Sequence, residues 1–230
     1  MLNHEKFSYV IIYILRMDMP RFITPFTMGL FGRRESGKTY FVTELLRKQE
    51  SMIKGPFKKV IWICKTFQHE VYEKLMQEQQ FEIEFMDELP NFDAIGKQEN
   101  TAIVLDDLMT EASNNEQVCT LFTRGRHLNL SVIYLSQNLF HQGKYSRDIN
   151  LNLDYIVLHK NPRDLTQVKI LGQQMYPHAK HFLSWAYNDA VNKEQYSHLV
   201  LDLKPYTDNS LRVRSKIFEQ FPIVYIEKNL

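Results

Sequence analysis

Apolar residues recur along this 230-residue chain in two rhythms. Short, nearly unbroken apolar runs at 26–31, Lys59–Cys64, 102–107, 131–136 and 155–158 have the length of strands and too few polar positions for one wet face. They predict strands covered on both sides, as in a parallel sheet. Between them apolar positions fall at helical spacing: Phe41, Val42, Leu45 and Leu46; Val71, Tyr72, Leu75 and Met76 within 68–79; Val118, Leu121 and Phe122 within Glu116–Arg124. Strands alternating with helices predict an α/β fold. Residues 81–85 alternate and predict a short peripheral strand. Asn161-Pro162-Arg163-Asp164 combines a cap residue, a proline at the first helical position and an acid in the first turn, so a helix starts there. Farther on, 198–203 and 211–218 alternate around the turn cluster 205–210, which predicts a small C-terminal β-hairpin packed on the domain.

The most apolar run, 7–15, is too short to span a bilayer as a helix and lacks a small-residue cleavage site after it. An added strand or an oligomer-contact arm is the expectation. We therefore divide the chain into an N-terminal extension over 1–23 and one domain over 24–230, with no membrane span.

Net charge is +1, so strong non-specific nucleic-acid binding is not written in the total. Its distribution is uneven: residues 66–119 hold Lys74 and Lys97 against thirteen acids, whereas 1–65 holds twelve bases and five acids and 120–230 fourteen and nine. A basic surface facing a polyanion and a solvated acidic flank both fit this pattern. Cys64 and Cys119 give neither a disulfide framework nor metal spacing, and both read as small core residues of a reducing, intracellular setting. His178 and His181 lack the partners a zinc site needs.

One stretch changes the picture. Gly32-Arg33-Arg34-Glu35-Ser36-Gly37-Lys38-Thr39 fits G-x-x-x-x-G-K-[ST], between a predicted strand and a predicted helix. Two glycines let the main chain approach phosphate closely. The loop amides and helix N-terminus then offer positive dipole to the anion. Lys38 is expected to reach the β- and γ-phosphates of ATP, and the Thr39 hydroxyl to ligate Mg²⁺.

The third run ends in Asp106-Asp107, the acidic partner such a loop requires. Asp106 is expected to hold Mg²⁺ through water and Asp107 to polarise the attacking water. Gln137, at the end of the fourth run, suits a γ-phosphate sensor or a turn cap. Arg124 and Arg126 come just before that strand. In a parallel sheet they lie a strand length from their own nucleotide, so either completes a neighbouring subunit's site or is an ordinary solvated helix end. Arg163 follows the fifth run and reads either as a residue near its own nucleotide or as helix-start charge. Arg212, Arg214 and Lys216 alternate with Leu211, Val213 and Ser215, which predicts one compact positive face, open to phosphate backbone or to solvent.

The phosphate loop, the Ile-Val-Leu-Asp-Asp strand, the segment Thr-Arg-Gly-Arg-His-Leu-Asn-Leu-Ser-Val-Ile-Tyr-Leu-Ser-Gln-Asn at 123–138 and Asn-Pro-Arg-Asp at 161–164 occur in this order in a known group. Over roughly residues 24–218 the chain resembles the genome-packaging ATPases of large eukaryotic DNA viruses, of the poxvirus type, in the FtsK–HerA superfamily. The likeness is strongest to those of Maverick/Polinton elements and adintoviruses. The resemblance implies a P-loop NTPase of the ASCE type with a central sheet of order 5-1-4-3-2. It implies ATP hydrolysis with Mg²⁺, a homo-oligomeric ring (pentamer or hexamer), and pumping of double-stranded DNA into a preformed capsid with viral capsid proteins as partners. It further implies an intracellular site in the host, a virus factory or the nucleus, or association with the virion. Nucleotide and Mg²⁺ roles fall on Gly32, Gly37, Lys38 and Thr39, the acidic pair on Asp106 and Asp107, the sensor on Gln137, and the trans-acting arginine on 124–126. Asp107 departs from the Glu usual in the wider superfamily. Two other readings are kept: a nucleotide-dependent assembly or docking protein with little turnover, and a P-loop kinase.

Overall fold

The structure, a computed structural model, describes residues 9–65, 81–92, 99–163 and 165–227. The helix expected at 68–79 and the acid Asp164 lie outside them. Among the described residues, six strands of the main sheet run parallel: β3 (Thr27–Phe31), β5 (Lys59–Cys64), β6 (Glu82–Met86), β7 (Thr101–Asp106), β8 (Leu130–Ser136) and β9 (Tyr155–His159). Their spatial order, β9-β3-β8-β7-β5-β6, contains the expected 5-1-4-3-2 arrangement, with the alternating strand 82–86 at its rim. A small parallel pair, β2 (Phe22–Ile23) and β4 (Ile53–Lys54), forms a separate ladder.

Side chains along the central strands alternate between two cores, because successive residues of a strand face opposite sides. In β8, Val132 and Tyr134 enter one core and Ile133 and Leu135 the other; in β7, Ile103 and Leu105 part from Ala102 and Val104 in the same way. Helix α1 (Lys38–Arg47) covers one face with Phe41, Val42, Leu45 and Leu46, the stripe expected from sequence. On the other face lie α4 (Glu116–Arg124), α6 (Leu165–Met175) and α7 (Phe182–Val191), with the short α3 (Met109–Asn114) and α5 (Ser146–Leu151), whereas the short α2 (Gln49–Met52) packs Met52 on the α1 side. Coverage on both sides is why the strands read as continuous apolar runs.

The tail differs from expectation. β10 (His198–Asp202) and β11 (Val213–Ser215) do form a hairpin, but it extends the central sheet: β10 pairs antiparallel with β9. β12 (Ile223–Glu227) continues the wing, and β1 (Tyr9–Tyr13), the apolar N-terminal run, closes it as an added edge strand. The expected positive face at 212–216 does not form. Arg214 is 1% exposed and its guanidinium meets the Asp202 carboxylate at 2.9 Å. Arg212 donates to the carbonyls of Asp202 and Lys204, and Lys216 pairs with Glu194. The strand spans only Val213–Ser215, so Arg212, capping a 3-10 turn, and Lys216, with φ 52°, leave its line, while burial forces Arg214 into an ion pair.

Candidate active site

Strand register assembles the site. Phe31 in β3 lies level with Leu158 in β9 and with Ser136 in β8, and Asp106 in β7 lies level with Leu135. Gly32 therefore stands beside His159 on one flank, and its amide donates to the Ser136 carbonyl at 3.3 Å on the other. Asp106, Asp107 and Gln137 leave the sheet at the same edge as the phosphate loop. This is the carboxyl-end crevice where open α/β sheets bind ligands.

The loop requires its glycines. Gly37 caps α1 with φ 98°, a left-handed backbone, and a Cβ there would stand 2.6 Å from Tyr196 Cβ. A Cβ on Gly32 would meet His159 Cβ and Ser36 Oγ, each at 2.7 Å. Glu35 (φ 61°) and Asp107 (φ 55°) also take left-handed backbone, which non-glycine residues adopt at a cost and which clusters at functional sites.

Lys38 Nζ donates to the carbonyls of Gly32 at 2.7 Å and Arg33 at 3.0 Å, so its ammonium is held within the loop. Burial lowers its pKa; the nearby Asp106 and Asp107 carboxylates oppose that shift, and Arg34 adds to it. Thr39 Oγ1 lies 3.5 Å from Asp106 Oδ2, and Gln137 Nε2 lies 3.5 Å from Asp107 Oδ1. Arg34 approaches the other Asp107 oxygen at 3.7 Å. Lys38, Thr39, Asp106, Asp107 and Gln137 line one cavity of about 440 Å³. The hydroxyl and carboxylate oxygens facing it are hard donors of the kind Mg²⁺ takes.

A second, larger cavity of about 640 Å³ opens on the far side of the loop, walled by Arg33–Ser36, Lys160, Pro162 and the segment 191–197. Arg34 and Glu35 border both cavities. Tyr196 rests on Gly37 and its ring is 5.4 Å from that of Tyr40. Sequence reasoning missed this wall, and it missed His159 behind the loop. The signal available for His159 was an apolar strand ending in one polar residue, Tyr-Ile-Val-Leu-His.

Arg124 and Arg126 are not brought to the loop. Both are exposed and precede Leu130, the first residue of β8, whereas the loop lies level with Ser136 at the other end. Six residue steps of strand separate the two edges by about 20 Å. Arg163 is exposed and its amide is capped by Asn161.

A parallel sheet of this order, with a glycine loop between strand and helix and acids at the end of the next strand but one, defines a P-loop NTPase fold. The solved structure of the genome packaging NTPase B204 from Sulfolobus turreted icosahedral virus 2 in complex with ATP-gammaS is similar. It shares 14% identity at TM-score 0.50, over 83% of this chain and 95% of that one. The sulfate complex of the same protein aligns at 13% identity and TM-score 0.49, over 80% of this chain and 94% of that one. A sequence profile described as "Poxvirus A32 protein" matches residues 20–167, and the chain belongs to that family. Compared by sequence with curated proteins, the chain finds no match.

Proposed function

We propose that this protein is an ATP-hydrolysing motor that moves double-stranded DNA into a viral capsid, working as a homo-oligomeric ring. One observation carries the reading: the phosphate loop, two carboxylates and an amide share one sheet edge, while two exposed arginines occupy the opposite edge. Family membership supports it, as does the likeness in fold to a protein described as a genome packaging NTPase with bound ATP-gammaS.

In this reading the loop amides of 33–37 and the start of α1 cradle the phosphates, and Lys38 leaves its loop carbonyls for the β- and γ-oxygens. Thr39 and Asp106 would hold Mg²⁺, which would supply charge neutralisation for the phosphates. Asp107 accepts a proton from the attacking water, and Gln137, within reach of Asp107, orients that water. The nucleoside extends into the larger cavity beside Tyr196. Arg124 or Arg126 of one subunit faces the phosphates of the next, so hydrolysis needs assembly. Among the described residues no helix is long and apolar enough to cross a membrane.

The test is ATP turnover measured with and without duplex DNA, alongside particle mass. Turnover stimulated by DNA and confined to the assembled species is expected. Turnover indifferent to DNA in every assembly state would sink the motor. A second reading, an assembly protein with little turnover, is favoured by the short Asp107 side chain and its contacts with Arg34 and Gln137. Tight ATP binding without hydrolysis in the DNA-bound ring supports that alternative.

A further inference from the structure

Two imidazoles lie where the parallel and antiparallel halves of the sheet join. His159 ends β9 and stands opposite His198, the first residue of β10, with ring centroids 5.7 Å apart. His159 is 1% exposed. Its Nδ1 lies 3.0 Å from the carbonyl oxygen of Ser36, inside the phosphate loop, and its backbone carbonyl accepts from Tyr187 Oη at 3.0 Å. The ring packs edge-on to Phe41 of α1. Its Nε2 is buried without a hydrogen-bond partner among the described residues. No step of the reaction set out above uses this group.

The hydrogen-bond partner fixes the proton. A carbonyl oxygen only accepts, so Nδ1 carries the hydrogen and donates. Burial, His198 and the Lys38 ammonium all disfavour a second proton, and the Ser36 bond opposes them without prevailing. The charged and titratable groups acting on the ring are thus Lys38, at the start of helix α1, and His198 from β10.

The consequence follows from the peptide bond between Ser36 and Gly37. It is planar, and in the usual trans form its C=O and N–H point in opposite directions. Drawing the Ser36 oxygen toward His159 therefore aims the Gly37 amide away from His159. Left-handed φ at Gly37 and close approach of Gly32 to His159 Cβ leave the loop little room to turn.

We propose that His159 is a positioning residue for nucleotide: its Nδ1–H holds the Ser36 carbonyl so that the Gly37 amide faces the bound phosphates. This rests on the reading of the loop as a nucleotide site. An amide held on a phosphate oxygen serves ground state and transition state alike, so its loss raises KM and leaves kcat nearly unchanged.

The experiment compares His159→Phe, which keeps ring bulk without the donor, with His159→Asn, whose Nδ2 replaces Nδ1. ATP turnover and ADP affinity are measured on the assembled full chain with Mg²⁺ and duplex DNA. One charge-assisted hydrogen bond corresponds to roughly a tenfold loss of affinity. His159→Phe is expected to raise KM and the ADP Kd about tenfold, with kcat changed less than about threefold, and His159→Asn to recover most of the loss. A folded His159→Phe protein with unchanged KM and Kd overturns the proposal, as does His159→Asn no better than His159→Phe. If His159→Phe does not fold, nitrogen NMR of the wild-type imidazole decides. A ring protonated on Nδ1 at neutral pH, shifting when ADP is added, is expected; a proton on Nε2, an imidazolium, or no response to ADP overturns it. Wild-type protein that binds neither ATP nor ADP sinks the nucleotide reading along with this one, whereas wild-type binding with an indifferent His159→Phe sinks this one alone.

Discussion

On the parallel side of the sheet, Arg34 and Asp107 approach at 3.7 Å with side chains 79% and 57% exposed. On the antiparallel side, Arg214 and Asp202 meet at 2.9 Å with side chains 2% and 3% exposed. The first pair sits at strand ends, in water, with loose geometry and freedom to take new partners. The second sits within the wing, where Asp202 also accepts from Lys204 N–H and the Thr207 hydroxyl and Arg214 donates to the Pro20 carbonyl. A buried charge must be matched where it stands, so it cannot also serve a ligand. Charge that is open stands at the edge beside the phosphate loop; charge that is closed ties β10 to β11 within the wing.

This contrast is breakable. Arg214→Ala leaves Asp202 buried without its partner, and the free energy of unfolding should fall by about 3–5 kcal/mol. Urea denaturation measures it; a change under about 1 kcal/mol would mean that the wing is not held by this pair. Lys38→Ala is the mirror experiment. Turnover should drop roughly a hundred- to a thousandfold, the range seen when one preorganised donor to developing charge is removed. The thermal midpoint should stay near that of the parent, and a collapse of stability instead would place Lys38 among the structural cations.

Acid tests the seam between the two regions. Burial holds His198 at about 4, and its Nε2 is shut from solvent; burial, His198 and Lys38 hold His159 well below its ordinary value. Both groups are ordinarily near 6.5 when unfolded. As pH falls below that value the unfolded chain takes up protons that the folded chain refuses. Stability should therefore decline from about pH 6.5 down to about pH 4, with His198 alone responsible for about 2–3 kcal/mol. Denaturation midpoints that stay flat across this window would show the imidazoles to be accessible. The smallest effect is expected at Lys216, whose partner Glu194 is half exposed. Lys216→Ala should cost under about 1 kcal/mol in a denaturation series.

Much of the parallel half was readable from the residues. Continuous apolar runs gave its strands, and the glycine loop and Asp106-Asp107 fell at strand ends as the topology demands. The order 5-1-4-3-2 came through family resemblance, because strand spacing along the chain carries no information about neighbours in space. The wing was less legible. Alternation in 211–216 says neither how short the strand is nor which face is wet, and here Arg214, on that strand, is buried. Residues 7–15 announced a strand by composition, but nothing local names β12 as its partner. His159 and Tyr196 act through contacts with the loop that arise only once β9 and β10 are side by side, so no motif marks them.

The pairing of Tyr9 with Glu227 has a consequence for synthesis. A ribosome adding about 5–20 residues per second reaches β12 roughly 10–40 s after it has made β1. Through that interval the Tyr-Val-Ile-Ile-Tyr segment has no strand to join, and the entropy of closing so long a loop delays it further. The β1–β12 edge of the sheet is thus closed by a strand made long before its partner, and that apolar ribbon stays unpaired until β12 appears.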